Sequence, residues 1–165
     1  MLSRNVIPRL RGLRTAAPLK QHLLEPAEVL QSCRERLRPG GLLVIATPNW
    51  ESRAHAHFGR SWLHLDPPRH VQIYRSSTLS KIVEEAGFQV QEIETPSSSA
   101  HFVWQTSEEI AKRGRLPGIR LPGFSPLRML RALRFWMGEY ALARRGEPCG
   151  EELLLFARRP SEGAC

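Results

Sequence analysis

Residues 37–49 read Leu-Arg-Pro-Gly-Gly-Leu-Leu-Val-Ile-Ala-Thr-Pro-Asn, a tight turn followed by a short apolar run, rich in branched residues, that stops at a proline. Such a run, bounded by turn residues on both sides, predicts a buried strand over residues 42–47. Residues 26–37 before it place apolar side chains at near-helical spacing, which predicts a helix. Because a strand that is apolar on both faces needs cover on both, this helix and strand form one unit of an α/β sheet.

The chain after this unit contains further elements of the same kind. Residues 63–74 form a predicted extended crossing, because the rings of Pro67 and Pro68 lock the backbone and exclude a helix. Ser76 is the predicted cap of a helix that stops at Gly87. The remaining predictions are a short helix or irregular loop over residues 50–59, a half-exposed strand on Phe88, Val90 and Ile93, and a final strand over residues 151–158.

Residues 97–148 have the pattern of a loop followed by a basic helix. Closely spaced glycines and prolines predict a loop over residues 112–124, and Ser125-Pro126 starts the helix. One side of this helix carries Leu127, Leu130, Leu133, Met137 and Tyr140, and another carries Arg128, Arg131 and Arg134. Such a helix either caps a substrate pocket or lies on an anionic membrane surface.

Four motifs appear in a fixed order: Leu37-Arg38-Pro39-Gly40-Gly41, Thr47-Pro48-Asn49, a segment over residues 58–70 (Phe-Gly-Arg-Ser-Trp-Leu-His-Leu-Asp-Pro-Pro-Arg-His), and Ala86-Gly87-Phe88. Together they resemble the C-terminal half of a class I S-adenosylmethionine-dependent methyltransferase, and within that class the ubiquinone-biosynthesis O-methyltransferases. The resemblance covers residues 20–95, with residues 150–159 as the last strand. It implies a partial Rossmann-like sheet of the last three strands, in which the final strand lies antiparallel between the two preceding ones. It also implies S-adenosylmethionine as cofactor and methyl transfer to a small-molecule acceptor, including O-methylation.

The glycine-rich loop by which such enzymes approach the cofactor has no counterpart in residues 1–36, where Gly12 is the only glycine. Residues 1–24 also lack the acidic residue that the family uses to hold the cofactor ribose. We therefore expect a truncated, cofactor-deficient methyltransferase that begins near the end of the fourth family strand. The alternative is a non-catalytic remnant or partner subunit, whose bare strand edge over residues 42–47 would pair with a second copy or another chain.

Length and composition fit one domain of an ordinary globular protein. The chain has 165 residues, of which 41% are hydrophobic and 7% aromatic, and it contains no apolar run of the roughly 18 residues needed to cross a bilayer. Its three cysteines, Cys33, Cys149 and Cys165, are widely spaced and predict free thiols in a reducing compartment, so we expect a cytoplasmic protein. We expect the partial methyltransferase domain to span residues 21–160.

The net charge of +8 is concentrated in two segments. Residues 1–20 hold five basic and no acidic side chains, and residues 111–145 hold nine basic side chains and Glu139. We predict that the first segment is a disordered tail, either a new N-terminus left by truncation or a transit peptide. The basic segments allow peripheral contact with a membrane, but their few aromatic residues, chiefly Phe135 and Trp136, argue against nucleic acid.

His70 is the predicted general base. It follows the rigid Pro67-Pro68 pair in a segment that the resemblance places over the active-site rim, and imidazole titrates near neutral pH. Arg69 would bind an anionic acceptor and Asp66 would orient His70, unless residues 66–70 form only a structural brace. Asn49 and Trp50 follow the buried strand, at the edge where α/β sheets bind ligands, and are predicted to line an acceptor pocket or to form only a turn. The remaining histidines show no metal-ligand spacing.

Overall fold

The computed structural model describes residues 26–65, 72–114 and 125–161. The predicted N-terminal tail, residues 1–20, lies outside these ranges. The described chain forms helix α1, strand β1, helices α2 and α3, strand β2, helices α4 and α5, and strand β3. Their bounds, in that order, are Pro26–Arg36, Leu42–Pro48, Arg53–Phe58, Ser76–Glu85, Gln89–Glu94, Ala100–Arg113, Pro126–Ala143 and Glu152–Arg158.

The three strands form one sheet in the order β1-β3-β2, and β3 runs antiparallel to both neighbours. Ile45 of β1 and Ile93 of β2 both pair with Leu155 of β3, so β1 and β2 run parallel to each other. This confirms the α/β class and the placement of the last strand between the two preceding ones. Within the described residues β1 pairs on one side only and is an edge strand.

The turn before β1 has the geometry that its glycines predict. Gly40 has φ +75°, in the left-handed region that glycine enters without strain, and its N–H donates to Arg159 O at 2.8 Å. Arg159 N in turn donates to Gly41 O at 2.9 Å. The Pro-Gly-Gly turn is therefore joined to the end of β3, which fixes the register of β1 against it.

One face of the sheet carries the main core. Leu43 and Ile45 of β1 lie beside Leu153, Leu155 and Ala157 of β3, all almost fully buried. Helices α1 and α3 add the buried side chains Leu30, Leu79, Val83 and, just after α3, Phe88. Each large apolar side chain buried in this core contributes about 2 kcal/mol. The opposite face carries a smaller cluster of Leu154 and Phe156 with Leu42 and Val44.

A second layer lies beyond the carboxyl end of β1. Helices α2, α4 and α5 pack together around Trp62, which is 1% exposed, with Ala54, Ala100, Val103 and Phe135 as the other buried members. The pattern of residues 97–148 predicts one helix after a loop, whereas the structure has two packed helices, α4 and α5, in this segment. Helix α4 is thus an element that the sequence pattern does not predict.

The basic helix α5 begins at Ser125-Pro126 as predicted, but the leucine side of it is not the packed side. Its buried residues are Ala132, Phe135 and Glu139. The side chains of Leu127, Leu130, Leu133, Met137 and Tyr140 are 47 to 58% exposed. Packing on α4 decides this orientation, since Phe135 belongs to the buried cluster around Trp62 together with Ala100 and Val103 of α4.

The two ends of α3 differ in how well the sequence predicts them. Ser76 is the first residue of α3 and not its cap; the cap position is Arg75, which makes no capping hydrogen bond. Gly87 does end α3, with φ +82°.

In the described ranges no helix is both long enough and apolar enough to cross a bilayer.

Candidate functional site at the carboxyl end of the first strand

Asn49, directly after β1, connects the strand to the segment before β3. Its side-chain amide donates to Pro148 O at 3.0 Å and to Gly150 O at 2.8 Å, and its Oδ1 accepts from Glu51 N at 2.9 Å. Its backbone N–H donates to Glu151 O at 3.0 Å. Because Asn49 is fully buried, the structure places it as a brace between two backbone segments, with no atom exposed to a ligand.

Trp50 is the accessible member of the predicted pair, at 38% exposure. Its ring lies 4.2 Å from the ring of His55, which lies 4.8 Å from Trp62, which in turn contacts His64 edge-on at 5.0 Å. His55 Nδ1 is 2.7 Å from Trp50 O, which places a proton on Nδ1. The end of β1 is thus bordered by a row of aromatic rings, which suits stacking with a planar ligand.

Glu151 lies beside Asn49 with its carboxylate buried under α2. Its Oε1 accepts from Ala54 N at 3.1 Å, and its Oε2 accepts from Trp62 Nε1 at 3.0 Å. Ser52, the residue that caps α2, also hydrogen-bonds this carboxylate. Burial raises the pKa of Glu151, whereas the hydrogen bonds from Trp62, Ala54 and Ser52 lower it.

Glu139 of α5 brings a second carboxyl group to Glu151. Glu139 is fully buried, and its carboxyl group interacts with both the side chain and the backbone N–H of Glu151. Burial, followed by the negative charge of Glu151, raises the pKa of Glu139 from 4.5 to about 9, although Arg53 lowers it. At neutral pH Glu139 is therefore protonated and donates its proton to the Glu151 carboxylate.

Arg53 begins α2 and acts electrostatically on Glu139. Its guanidinium carbon lies 5.0 Å from the centroid of the Phe135 ring, and its Nη1 donates to Phe135 O at 3.5 Å. Gly138 packs against the same guanidinium, and a side chain at that position would collide with it. A side chain at residue 138 would therefore displace the Arg53 guanidinium.

The predicted base His70, and Asp66 and Arg69 with it, lie outside the described residues. The chain that follows them is held at the site, since Trp50 N donates to Tyr74 O at 3.0 Å and Asn49 forms a parallel bridge with Tyr74. Glu51 joins the same region to α3 by accepting from Ser76 N at 3.2 Å and from Ser76 Oγ at 3.1 Å.

The described residues do not fit the cofactor that the resemblance implies. A cofactor that needs close backbone approach is held by a loop of glycines after a strand. The loop after β1 carries Pro48, Asn49 and Trp50 instead, and Pro48 and Asn49 are fully buried. This loop is therefore no substitute for the glycine-rich one.

Metal ligation and thiol chemistry have little support in the described chain. Over residues 26–65, 72–114 and 125–161, no three His, Cys, Asp or Glu side chains are placed to hold a metal ion. Cys33 and Cys149 are free thiols, and burial raises the pKa of both. Cys165 lies outside the described residues.

Sequence reasoning missed Glu139, Glu151 and Arg53. Glu139 is visible in the sequence as the single acid among nine bases in residues 111–145, and it lies on the helix side opposite the leucines. For Glu151 the sequence indicates only the start of a strand. Nothing in the sequence shows that the two glutamates, twelve residues apart, meet in the interior, because that contact depends on how α5 packs.

Comparison with known proteins gives one family match. Residues 19–93 match the family described as a methyltransferase domain. No curated protein sequence matches the chain.

Among solved structures, the (4+2)-cyclase SpnF is 19% identical over 88% of this chain and 48% of its own, with a TM-score of 0.48. A SAM-dependent methyltransferase from Archaeoglobus fulgidus is 18% identical over 95% of this chain and 66% of its own, with a TM-score of 0.45. An S-adenosylmethionine-dependent methyltransferase from Mesorhizobium loti is 14% identical over 96% of this chain and 78% of its own, with a TM-score of 0.42. The chain spans about half the length of SpnF.

Proposed function

We propose that this chain supplies the acceptor-binding half of an S-adenosylmethionine-dependent methyltransferase and transfers a methyl group to a small molecule only when a cofactor-binding half is present. The match of residues 19–93 to a methyltransferase domain carries the proposal. The sheet supports it, because an antiparallel last strand between two parallel strands is the arrangement that the resemblance implied. The acceptor would be a hydroxylated or carboxylated molecule, as in the O-methyltransferase subset.

The chain alone is not expected to bind the cofactor. Residues 1–36 contain one glycine, and the loop after β1 contains none. A chimera tests the proposal: residues 26–161 replace the corresponding half of a complete enzyme of this family. We expect the chimera to bind S-adenosylmethionine and to transfer a labelled methyl group, and a folded chimera that does neither would contradict the family assignment.

His70 is proposed as the general base, with Arg69 binding an anionic acceptor and Asp66 orienting the imidazole. The backbone hydrogen bond from Trp50 N to Tyr74 O supports the proposal, because Tyr74 follows His70 by only four residues and borders the end of β1. In the chimera, His70→Ala should lower turnover at least about 100-fold, the usual contribution of a general base. His101→Ala, an exposed histidine on α4, is the matched control. Unchanged turnover in His70→Ala would leave residues 66–70 as a brace.

A second candidate function is peripheral binding to an anionic membrane, which the exposed side of α5 favours. Leu127, Leu130, Leu133, Met137 and Tyr140 form a continuous apolar stripe on an 18-residue helix, at helical spacing. Arg134, Arg144 and Arg145 are exposed on or just after the same helix. Apolar side chains beside arginines are the composition of helices that lie in the interface of anionic membranes.

A further inference from the structure

We propose that a cleft between α2, α4 and α5 binds a small molecule that carries an oxyanion, a carboxylate or a phosphate, on a planar ring. The cleft, which we call the basic cleft, has a volume of about 340 Å³, within the range of small-molecule sites. It is lined by Arg53, His57, Trp104, Arg131, Arg134 and Phe135. This inference does not depend on methyl transfer, because it concerns a ligand site formed wholly by described residues.

The arginines of the basic cleft carry positive charge that nearby acids do not balance. Arg134 makes no ion pair within the described chain. Arg131 pairs with Glu108 at 3.2 Å, but Glu108 is shared with Lys112 at 3.2 Å and Arg128 at 3.6 Å. Glu109 is likewise shared between Arg113 and Arg128. Two acids are therefore divided among four cations on this side of α4 and α5.

Arg53 is the third arginine that lines the basic cleft, and its position is fixed. It is held against the Phe135 ring and the Phe135 carbonyl, and the acid that acts on it electrostatically is Glu139. Because burial and Glu151 raise the pKa of Glu139 to about 9, that neighbour is uncharged at neutral pH. Glu139 therefore does not neutralise Arg53, and the negative charge of the carboxyl pair lies on Glu151, whose oxygens accept from Ala54 N and Trp62 Nε1. A guanidinium fork matches the geometry of carboxylate and phosphate oxygens.

The rest of the basic cleft is aromatic. His57 stacks on Trp104 with ring centroids 4.8 Å apart, and Trp104 lies 4.5 Å from Phe135. The Trp104 indole N–H is buried without an acceptor in the described chain. Stacked rings beside guanidinium groups suit a flat ligand with a negatively charged end.

Calorimetric titration of the whole chain with four probes tests this proposal: benzoate, phenyl phosphate, benzyl alcohol and inorganic phosphate. We expect benzoate or phenyl phosphate to bind at least about tenfold more tightly than benzyl alcohol or inorganic phosphate, because only the first two carry both ring and oxyanion. The ranking of benzoate against phenyl phosphate assigns the oxyanion. If neither benzoate nor phenyl phosphate binds more tightly than benzyl alcohol, or if no probe binds to the folded chain, the proposal is overturned.

Two further measurements locate the site. Arg134→Gln, on the exposed side of the cleft, should weaken the tighter probe about tenfold. Arg145→Gln, an exposed arginine just beyond α5, should leave binding unchanged. In a ¹⁵N spectrum of the four tryptophan indoles, with Trp104→Phe used for assignment, the Trp104 signal should shift on binding. If Arg134→Gln binds the probe as tightly as the parent chain and the Trp104 signal does not shift on binding, the assignment to the basic cleft is wrong.

Discussion

Glu139 and Glu151 bring two carboxyl groups into direct contact in the interior, one from the last helix and one from the residue before the last strand. Glu151 is held as the charged member by donors from α2 and Trp62. Glu139 is held as the protonated member by burial and by the charge of Glu151. The two carboxyl groups join α5 to the end of the sheet by a hydrogen bond with a single shared proton, so this contact depends on pH.

The first prediction concerns stability at alkaline pH. The pKa of Glu139 is about 9 in the folded state against 4.5 for the free side chain, so the folded protein holds an extra proton between these values. The free energy of unfolding that this proton adds is complete below pH 4.5 and is lost as pH rises towards 9, at about 1.4 kcal/mol per pH unit. Glu139→Gln keeps the shape and the donor but cannot ionise, so its free energy of unfolding should lose this slope.

Urea unfolding followed by circular dichroism measures that slope. Four pH values from about 6 to about 9 lie in the range in which unfolding releases the proton. Glu147→Gln, which removes an exposed carboxylate near the same helix, is the control and should keep the slope of the parent chain. Parallel slopes for the parent chain and Glu139→Gln would show that Glu139 does not retain its proton.

The second prediction concerns the brace at Asn49. Asn49→Ala removes the donors to the part-buried carbonyl of Pro148 and the buried carbonyl of Gly150, and an unsatisfied buried carbonyl costs about 1–3 kcal/mol. We expect the free energy of unfolding to fall by about 2–4 kcal/mol. Gln31→Ala removes an exposed bond to Glu35 of 3.1 Å and should cost less than about 0.5 kcal/mol. Equal losses in the two variants would contradict the brace.

The third prediction concerns how α3 begins. Arg75 supplies no cap, and Glu51 accepts from both Ser76 N and Ser76 Oγ in its place. Glu51→Ala should therefore cost about 1 kcal/mol, as the loss of a helix cap does. Glu85→Ala breaks only an exposed pair with Lys81 at 3.9 Å, and it should be nearly neutral in the same chemical-denaturation assay. If Glu51→Ala leaves the free energy of unfolding unchanged, the loop after β1 does not stabilise the start of α3.

The fourth prediction concerns the exposed stripe of α5. Leu133 is 47% exposed, so Leu133→Glu should leave thermal stability nearly unchanged while abolishing sedimentation with anionic phosphatidylserine vesicles at low salt. Phe135→Ala removes a side chain that is 5% exposed and should cost about 3–5 kcal/mol. Binding to neutral and anionic vesicles alike, or no binding by the parent chain, would dismiss the membrane function.

The sheet was predictable from the sequence because its determinants are local. The Pro-Gly-Gly turn and the branched run fix β1, Gly87 fixes the end of α3, and apolar residues 153–157 fix β3. Strand order came from the family resemblance, since short-range patterns do not show which strands pair. Helix α4 was missed because its buried face is built partly from polar side chains, namely Thr106, Ser107 and Glu109.

The site was less predictable because its residues meet only through packing. The position after β1 was predicted to line an acceptor pocket or to form only a turn, and Asn49 uses its amide there to bind backbone carbonyls. The leucines of α5 predicted a pocket cap or a membrane-facing side, but hydrophobicity alone does not reveal that the opposite, buried side carries a protonated glutamate. His70, Asp66 and Arg69 remain predictions.

The most direct test of the proposed function is calorimetric titration of S-adenosylmethionine into two folded samples, the 165-residue chain and the chimera that adds a cofactor-binding half. We expect saturable heat at micromolar concentrations from the chimera and none from the chain alone. Saturable heat from the chain alone would contradict the claim that it lacks a cofactor site, and a folded chimera that gives no heat would contradict its assignment as the acceptor half of a methyltransferase.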